Sequence, residues 1–195
     1  MAQATQVPVA LHVLADTLTC CNLASGITAI LISDEGSPVR RSRLLLLGAL
    51  CDSVDGTFAR RSGNPTERGA TADHVADFIT FGIAPGVILT GCGPAGKKPL
   101  FRVAAGLYIA AAAGRKVRYG MGPRTSHSFR GLPDMGAGLI FALGCQANMS
   151  PRHLAYLTLG LGVAMLSPIR VLSGEGILRM LARQDLEIGS VRTAE

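Results

Sequence analysis

Uncharged stretches recur along the chain at Thr17–Ser33, Phe78–Gly96, Met135–Pro151 and Leu154–Ile169. Only Phe78–Gly96 reaches the ~18 residues expected of a membrane-crossing helix, so strict hydropathy undercounts the crossings. Two further apolar segments, Ser42–Arg61 and Leu100–Tyr119, become full-length once their charges sit at helix ends or face a polar interior, where intramembrane charges belong. The pattern predicts an all-α integral membrane protein with six transmembrane helices, a single domain over residues 1–195. From Gly174 to Glu195 the chain is more polar. There Ile177, Leu178, Leu181 and Leu186 line one side of a short interfacial helix within a cytoplasmic tail.

The polar positions are most unusual between Asp52 and Asp77, where DSVDGTFARRSGNPTERGATADHVAD places four carboxylates in the apolar half of the chain. Asp52 and Asp55 are three apart and Asp73 and Asp77 four apart, so on helices each pair projects from one face. Like charges on neighbouring helices repel and resist desolvation. Divalent cations relieve both costs, and short carboxylates favour hard ions such as Mg²⁺ or Mn²⁺. The bland alternative has each Asp capping a helix or pairing with Arg60, Arg61 or Arg68. Capping, however, puts one Asp at a helix start and not two on one face. Gly56, Ala59 and Gly69 leave room beside the acids for a bulky guest. Two metal ions and Arg60 suit a diphosphate.

Composition narrows the class. The chain has 195 residues, 48% hydrophobic and 16% charged, with a mean hydropathy of +0.35, which leaves no room for a second domain. Its net charge of +6 suits an anionic lipid surface, and no nucleic-acid partner is expected. With the N-terminus inside, twelve of the nineteen basic residues face the cytoplasm: Arg60, Arg61, Arg68, Arg115, Lys116, Arg118, Arg124, Arg130, Arg170, Arg179, Arg183 and Arg192. Arg40, Arg41 and Arg43 on one external loop, and Lys97 and Lys98 on another, oppose this bias. The balance predicts both termini and the active site on the cytoplasmic side. Residues 1–15 lack a basic start and a cleavage site, so no signal peptide is expected. The cysteines Cys20, Cys21, Cys51, Cys92 and Cys145 form no C-x-x-C pair and read as small buried hydrophobes. Gly91–Lys97, GCGPAGK, imitates a phosphate-binding loop, but Lys98 stands where Ser or Thr is needed. It is expected to be an external Gly/Pro loop.

Residues 52–77 match without a gap the signature D-x2-D-G-x2-A-R-x8-G-x3-D-x3-D, and the chain thus resembles the CDP-alcohol phosphotransferase family. TLTCCNLASG, FITFGIAP, GRKVRYG and FRGLP resemble elements of its phosphatidylserine synthase branch. The resemblance implies metal-dependent transfer of a phosphatidyl group from CDP-diacylglycerol to L-serine, with release of CMP, by a homodimer. It implies that Asp52, Asp55, Asp73 and Asp77 hold two metal ions, with Asp77 also the catalytic base. It also implies that Asp52, Gly56, Ala59, Arg60 and Gly69 bind the CDP moiety.

Arg115 and Arg118 are candidates for the acceptor carboxylate or the lipid phosphate, against the alternative of arginines snorkelling from a helix end. Arg102 reads as an external anchor. Departures from the branch pattern are Gly120 in place of Asn, Asp134 and Met135 after the GLP, and His74 in place of a small polar residue. His74 reads as a satisfied helix histidine. Inositol phosphate or glycerol phosphate are alternative acceptors, and an archaeal ether lipid is an alternative donor. A membrane transporter or ion-binding protein is the non-enzymatic alternative.

Overall fold

The computed structural model describes residues 9–32, 37–61, 67–119, 128–168 and 170–172. Its elements are α1 (Val9–Leu31), α2 (Pro38–Arg61), α3 (Glu67–Asp77), a π-helical segment (Phe78–Ile83), α4 (Ala84–Thr90), a single turn α5 (Gly93–Gly96), α6 (Pro99–Tyr119), β1 (Ser128–Arg130), α7 (Asp134–Gln146), α8 (Pro151–Leu166) and β2 (Arg170–Leu172). The segments α3, π and α4 form one uninterrupted rod, which packs against α1, α2, α6, α7 and α8. Around it α1 pairs most extensively with α2, α6 with α8, and α2 with α7.

Small residues make this packing possible. The interior is rich in Ala84, Ala104, Ala105, Ala112, Ala137 and Ala142, interleaved with Phe81, Phe101, Tyr108 and Phe141 and with the aliphatics Leu45, Ile88, Leu89 and Leu154. Large aliphatic residues such as Leu50, Leu143 and Val163 point outward. Close helix approach through small side chains, with further bulky apolar groups facing outward, suits helices that pack within lipid.

The π segment has a specific cause. Pro85 has no backbone N–H, so it cannot donate to the carbonyl of Phe81 four residues earlier. Tyr108, fully buried on α6, donates its hydroxyl to that carbonyl at 2.7 Å. The Ala84 N–H reaches back to the Ile79 carbonyl, a five-residue step that widens the turn.

One end of the bundle is stitched by side chains onto helix ends. Arg41 is buried and donates Nε to the Ala29 carbonyl at 2.8 Å and Nη2 to that of Ile30 at 3.4 Å, covering the electronegative end of α1. Gln146 Nε2 ties the end of α7 to the Val39 carbonyl at 3.0 Å and Ser42 Oγ at 2.8 Å. The helices that start from this end open on prolines, Pro38, Pro99 and Pro151, at the position where a missing N–H costs nothing.

Several expectations need correction. Arg40, Arg41 and Arg43 lie in the first turns of α2 and not on a loop, and burial removes Arg41 from the surface charge. Gly91–Lys97 contains the helical turn α5, because Pro94 favours a helix start and Gly93 at φ +54° lets the chain turn into it. The described residues are not wholly α. Ser128, Phe129 and Arg130 pair antiparallel with Leu172, Val171 and Arg170, since the chain entering α7 runs beside the chain leaving α8 and their backbone groups satisfy one another. By length and hydropathy, Val13–Leu31 and Arg68–Thr90 are long and apolar enough to cross a membrane. The expected interfacial helix in 174–195 lies outside the described residues.

Candidate active site

Three of the acids converge in space. Asp52 and Asp55 from α2 and Asp73 from α3 each offer a carboxylate oxygen, and these oxygens lie within 4.8 Å of one another. Asp77, buried at the junction of α3 with the π segment, sits within hydrogen-bond reach of the Asp52 carboxyl. Asp73 Oδ1 is buried and has no hydrogen-bond partner among the described residues. Hard oxygens converging in this way, one of them unsatisfied, fit a divalent cation. An ion with bonds of ~2.0–2.6 Å gathers ligand oxygens to such separations.

Helix α1 supports the acids from behind. Thr19 Oγ1 donates to Asp55 Oδ2 at 2.9 Å, and Asn22 Nδ2 donates to Asp77 Oδ1 at 3.3 Å. The Asn22 carbonyl accepts from Ser25 Oγ at 2.7 Å and from Thr80 Oγ1 at 3.0 Å. Gly48 on α2 is the contact that permits this approach. A Cβ there would lie 2.7 Å from Ser25 Oγ and 2.8 Å from Asn22 Oδ1. Thr19 and Asn22 had no role assigned from sequence. Their signal is two polar residues, Thr19 and Asn22, three apart on one face of an apolar run, with the small Gly26 one turn further on.

Gly56 follows Asp55 on α2 and Gly69 lies one turn before Asp73 on α3, both partly buried. Ala59 and Arg60 belong to the backbone of α2, but their side chains lie outside the described residues. His74 is buried. Arg68 is exposed and, with Leu23, Thr71, Ala72 and Val75, lines a groove of about 570 Å³ between α1 and α3 beside Asp73.

Arg115 and Arg118 part company. Arg115 is buried, pairs with Asp134 Oδ1 at 3.2 Å and donates to the Gly131 carbonyl at 3.3 Å. Lys116 reaches Asp134 Oδ2 at 3.3 Å. Arg118 is exposed. Gly131 is obligatory in this junction: its φ is +79°, and a side chain would strike the Met165 carbonyl. The adjacent Leu132 N–H donates to the Ala164 carbonyl at 3.0 Å, fixing the start of α7 against the end of α8.

Residues 12–131, a span containing all four acids, match the family model described as CDP-alcohol phosphatidyltransferase. The chain belongs to this family. Similar CDP-alcohol phosphatidyltransferases include a CDP-diacylglycerol–serine O-phosphatidyltransferase of Methanocaldococcus jannaschii, 28% identical over 80% of this chain and 72% of the relative. An archaetidylserine synthase of Methanothermobacter thermautotrophicus is 38% identical over 39% of this chain and 34% of the relative. A CDP-diacylglycerol–serine O-phosphatidyltransferase of Mycobacterium tuberculosis is 30% identical over 70% of this chain, which spans 50% of that relative's length. CDP-alcohol phosphatidyltransferases generally depend on divalent metal, and the acid cluster is compatible with that requirement.

Proposed function

We propose that this phosphatidyltransferase transfers the phosphatidyl group of CDP-diacylglycerol to the hydroxyl of L-serine, yielding phosphatidylserine and CMP. The observation that carries the reading is the convergence of Asp52, Asp55 and Asp73. The names of the relatives support serine as the acceptor. The relative named archaetidylserine synthase favours a second reading of the donor alone, an ether-linked CDP-lipid with the same acceptor.

Asp52, Asp55, Asp73 and Asp77 hold Mg²⁺ or Mn²⁺, two ions in all. Bound there, the metal supplies positive charge against the diphosphate and the departing CMP. Arg60 adds a guanidinium to the diphosphate, and the small residues Gly56, Ala59 and Gly69 admit the cytidine end. Asp77 takes the proton of the acceptor hydroxyl. The hydroxyl oxygen bonds to the phosphorus that carries the lipid, the bond from that phosphorus to the bridging oxygen breaks, and CMP leaves with the electron pair. Arg118, exposed at the end of α6, receives the acceptor carboxylate or the lipid phosphate. Arg115, already engaged by Asp134, acts by holding the α6–α7 junction.

The chain forms a single domain, with its six rods crossing the bilayer: α1, α2, the α3–π–α4 rod, α6, α7 and α8. Outward Leu50, Val103, Leu107, Leu143 and Val163 support lipid contact. Arg68, Arg115, Lys116 and Arg118 lie toward the end of the bundle nearer the acids, which supports a cytoplasmic active site. The family resemblance supports a homodimer.

The test is CMP release from CDP-diacylglycerol by the purified protein, offered L-serine, inositol phosphate or glycerol phosphate with Mg²⁺ or Mn²⁺. Release with serine alone, abolished by EDTA and restored by either metal, is expected. Release with a phosphorylated alcohol but not serine overturns the acceptor. Full activity after exhaustive chelation overturns the metal-dependent mechanism.

A further inference from the structure

Among the groups around the acids, Asn22 has no place yet in the chemistry. It is fully buried, 55 residues from Asp77 in sequence, and its Nδ2 donates to Asp77 Oδ1. Its Oδ1 is also buried and has no hydrogen-bond partner among the described residues. An amide oxygen left in that state carries an uncompensated desolvation cost. A leucine would occupy a similar volume without the cost. Packing therefore does not account for the polar side chain, whose amide nitrogen is engaged by Asp77.

The surroundings hold this amide in place. Ser25 and Thr80 both donate to the Asn22 backbone carbonyl, tying α1 to the π segment that directly follows Asp77. Gly48 brings α2 close to Asn22 Oδ1. The nitrogen must face the carboxylate, because an ionised acid only accepts hydrogen bonds and the amide oxygen cannot donate.

We propose that Asn22 is a positioning residue for the transfer reaction: by holding Oδ1 of Asp77 it stops rotation of the carboxylate and presents the other oxygen to the acceptor hydroxyl. This inference rests on the reading of Asp77 as the base. It assigns to α1, which contributes no acid to the cluster, control over the direction of proton removal. Misorienting a base slows the proton-transfer step without altering how the CDP-lipid is bound.

The experiment is a double-mutant cycle on the purified, reconstituted protein with Asn22→Leu and Asp77→Asn. Asn22→Leu should lower kcat by about 10- to 100-fold, the usual effect of losing a group that orients a site residue. The KM for CDP-diacylglycerol and the affinity for Mn²⁺ in calorimetry should stay within about twofold of wild type. In the Asp77→Asn background the same substitution should cause no further loss, because no base remains to be oriented. Asn22→Ala takes the same measurements if the leucine variant does not fold. An unchanged kcat, losses that multiply, or Mn²⁺ affinity falling in step with kcat would each overturn the proposal. If Asp77→Asn itself retained wild-type kcat, the assignment of Asp77 as base would fail, an outcome distinct from failure of Asn22 to act on it.

Discussion

At the residue scale, the four acids divide by surroundings. Asp52, Asp55 and Asp73 share a volume that one ion can span, whereas Asp77 is held by Asn22 from α1 and borders Asp52. Asp77→Asn is expected to bind CDP-lipid with metal and to lose about 10²–10⁴ in the rate of CMP release, while Asp52→Asn weakens metal binding as well. Calorimetry beside turnover separates them, and the reverse pattern would exchange their roles. Arg118→Lys is expected to raise the KM for serine while the KM for the CDP donor stays unchanged, because an ammonium cannot reproduce a two-pronged guanidinium contact. A raised donor KM would instead assign Arg118 to the lipid phosphate. The acids were legible in the sequence because helical spacing alone puts each pair on one face. Thr19 and Asn22 were not, since a polar residue in an apolar helix does not name its partner, and theirs are 36 and 55 positions away. Of Arg115 and Arg118, three residues apart, the sequence favoured Arg118, but the pairing of Arg115 with Asp134 could not be read from it.

At the scale of the element, the central rod explains how the acids are held at a fixed angle. Its upper part carries Asp73 and Asp77, its middle widens into the π segment, and its lower part contributes Ile88 and Leu89 to the core. Tyr108→Phe would remove the hydroxyl that serves the Phe81 carbonyl. It is expected to destabilise the protein by about 1–3 kcal/mol, read as a lower thermal unfolding midpoint in detergent. An unchanged midpoint would mean that Phe81 finds another donor. The rod itself was only partly legible. The charge-free run beginning at Phe78 marked an apolar segment, yet the helix starts at Glu67 and carries its acids with it. Pro85 was visible, but the widened turn needs Tyr108 from another helix, which no local pattern reveals. The β1–β2 ladder escaped for a similar reason, since its strands are three residues each and gain their partners only when α7 and α8 bring them together.

At the scale of the whole molecule, the two ends of the bundle differ in purpose. Arg41 and Gln146 knit one end, and the acids, the Asp134 ion pairs and Gly131 lie toward the other. Hydropathy placed apolar segments over α1, α2, the central rod, α6, α7 and α8, although it did not set their lengths, and among the described residues only Val13–Leu31 and Arg68–Thr90 are long and apolar enough to cross a membrane. At ~1.5 Å per residue, α1 with 23 residues and α6 with 21 extend about 34 and 31 Å. The same rise gives α7, with 13, about 20 Å and α8, with 16, about 24 Å. A lipid core is ~30 Å thick, so in the proposed six-crossing arrangement α1 and α6 match it and α7 and α8 do not. In that arrangement the lipids beside α7 and α8 would compress, at a fraction of a kcal/mol for each Å of mismatch. Turnover in bilayers of graded acyl length is therefore expected to peak in thin membranes and fall as the chains lengthen, whereas a flat response would mean that the short helices are not in contact with lipid. In the proposed arrangement the enzyme would dimple the membrane that its own product helps to build, and the thickness of that membrane would set part of its rate.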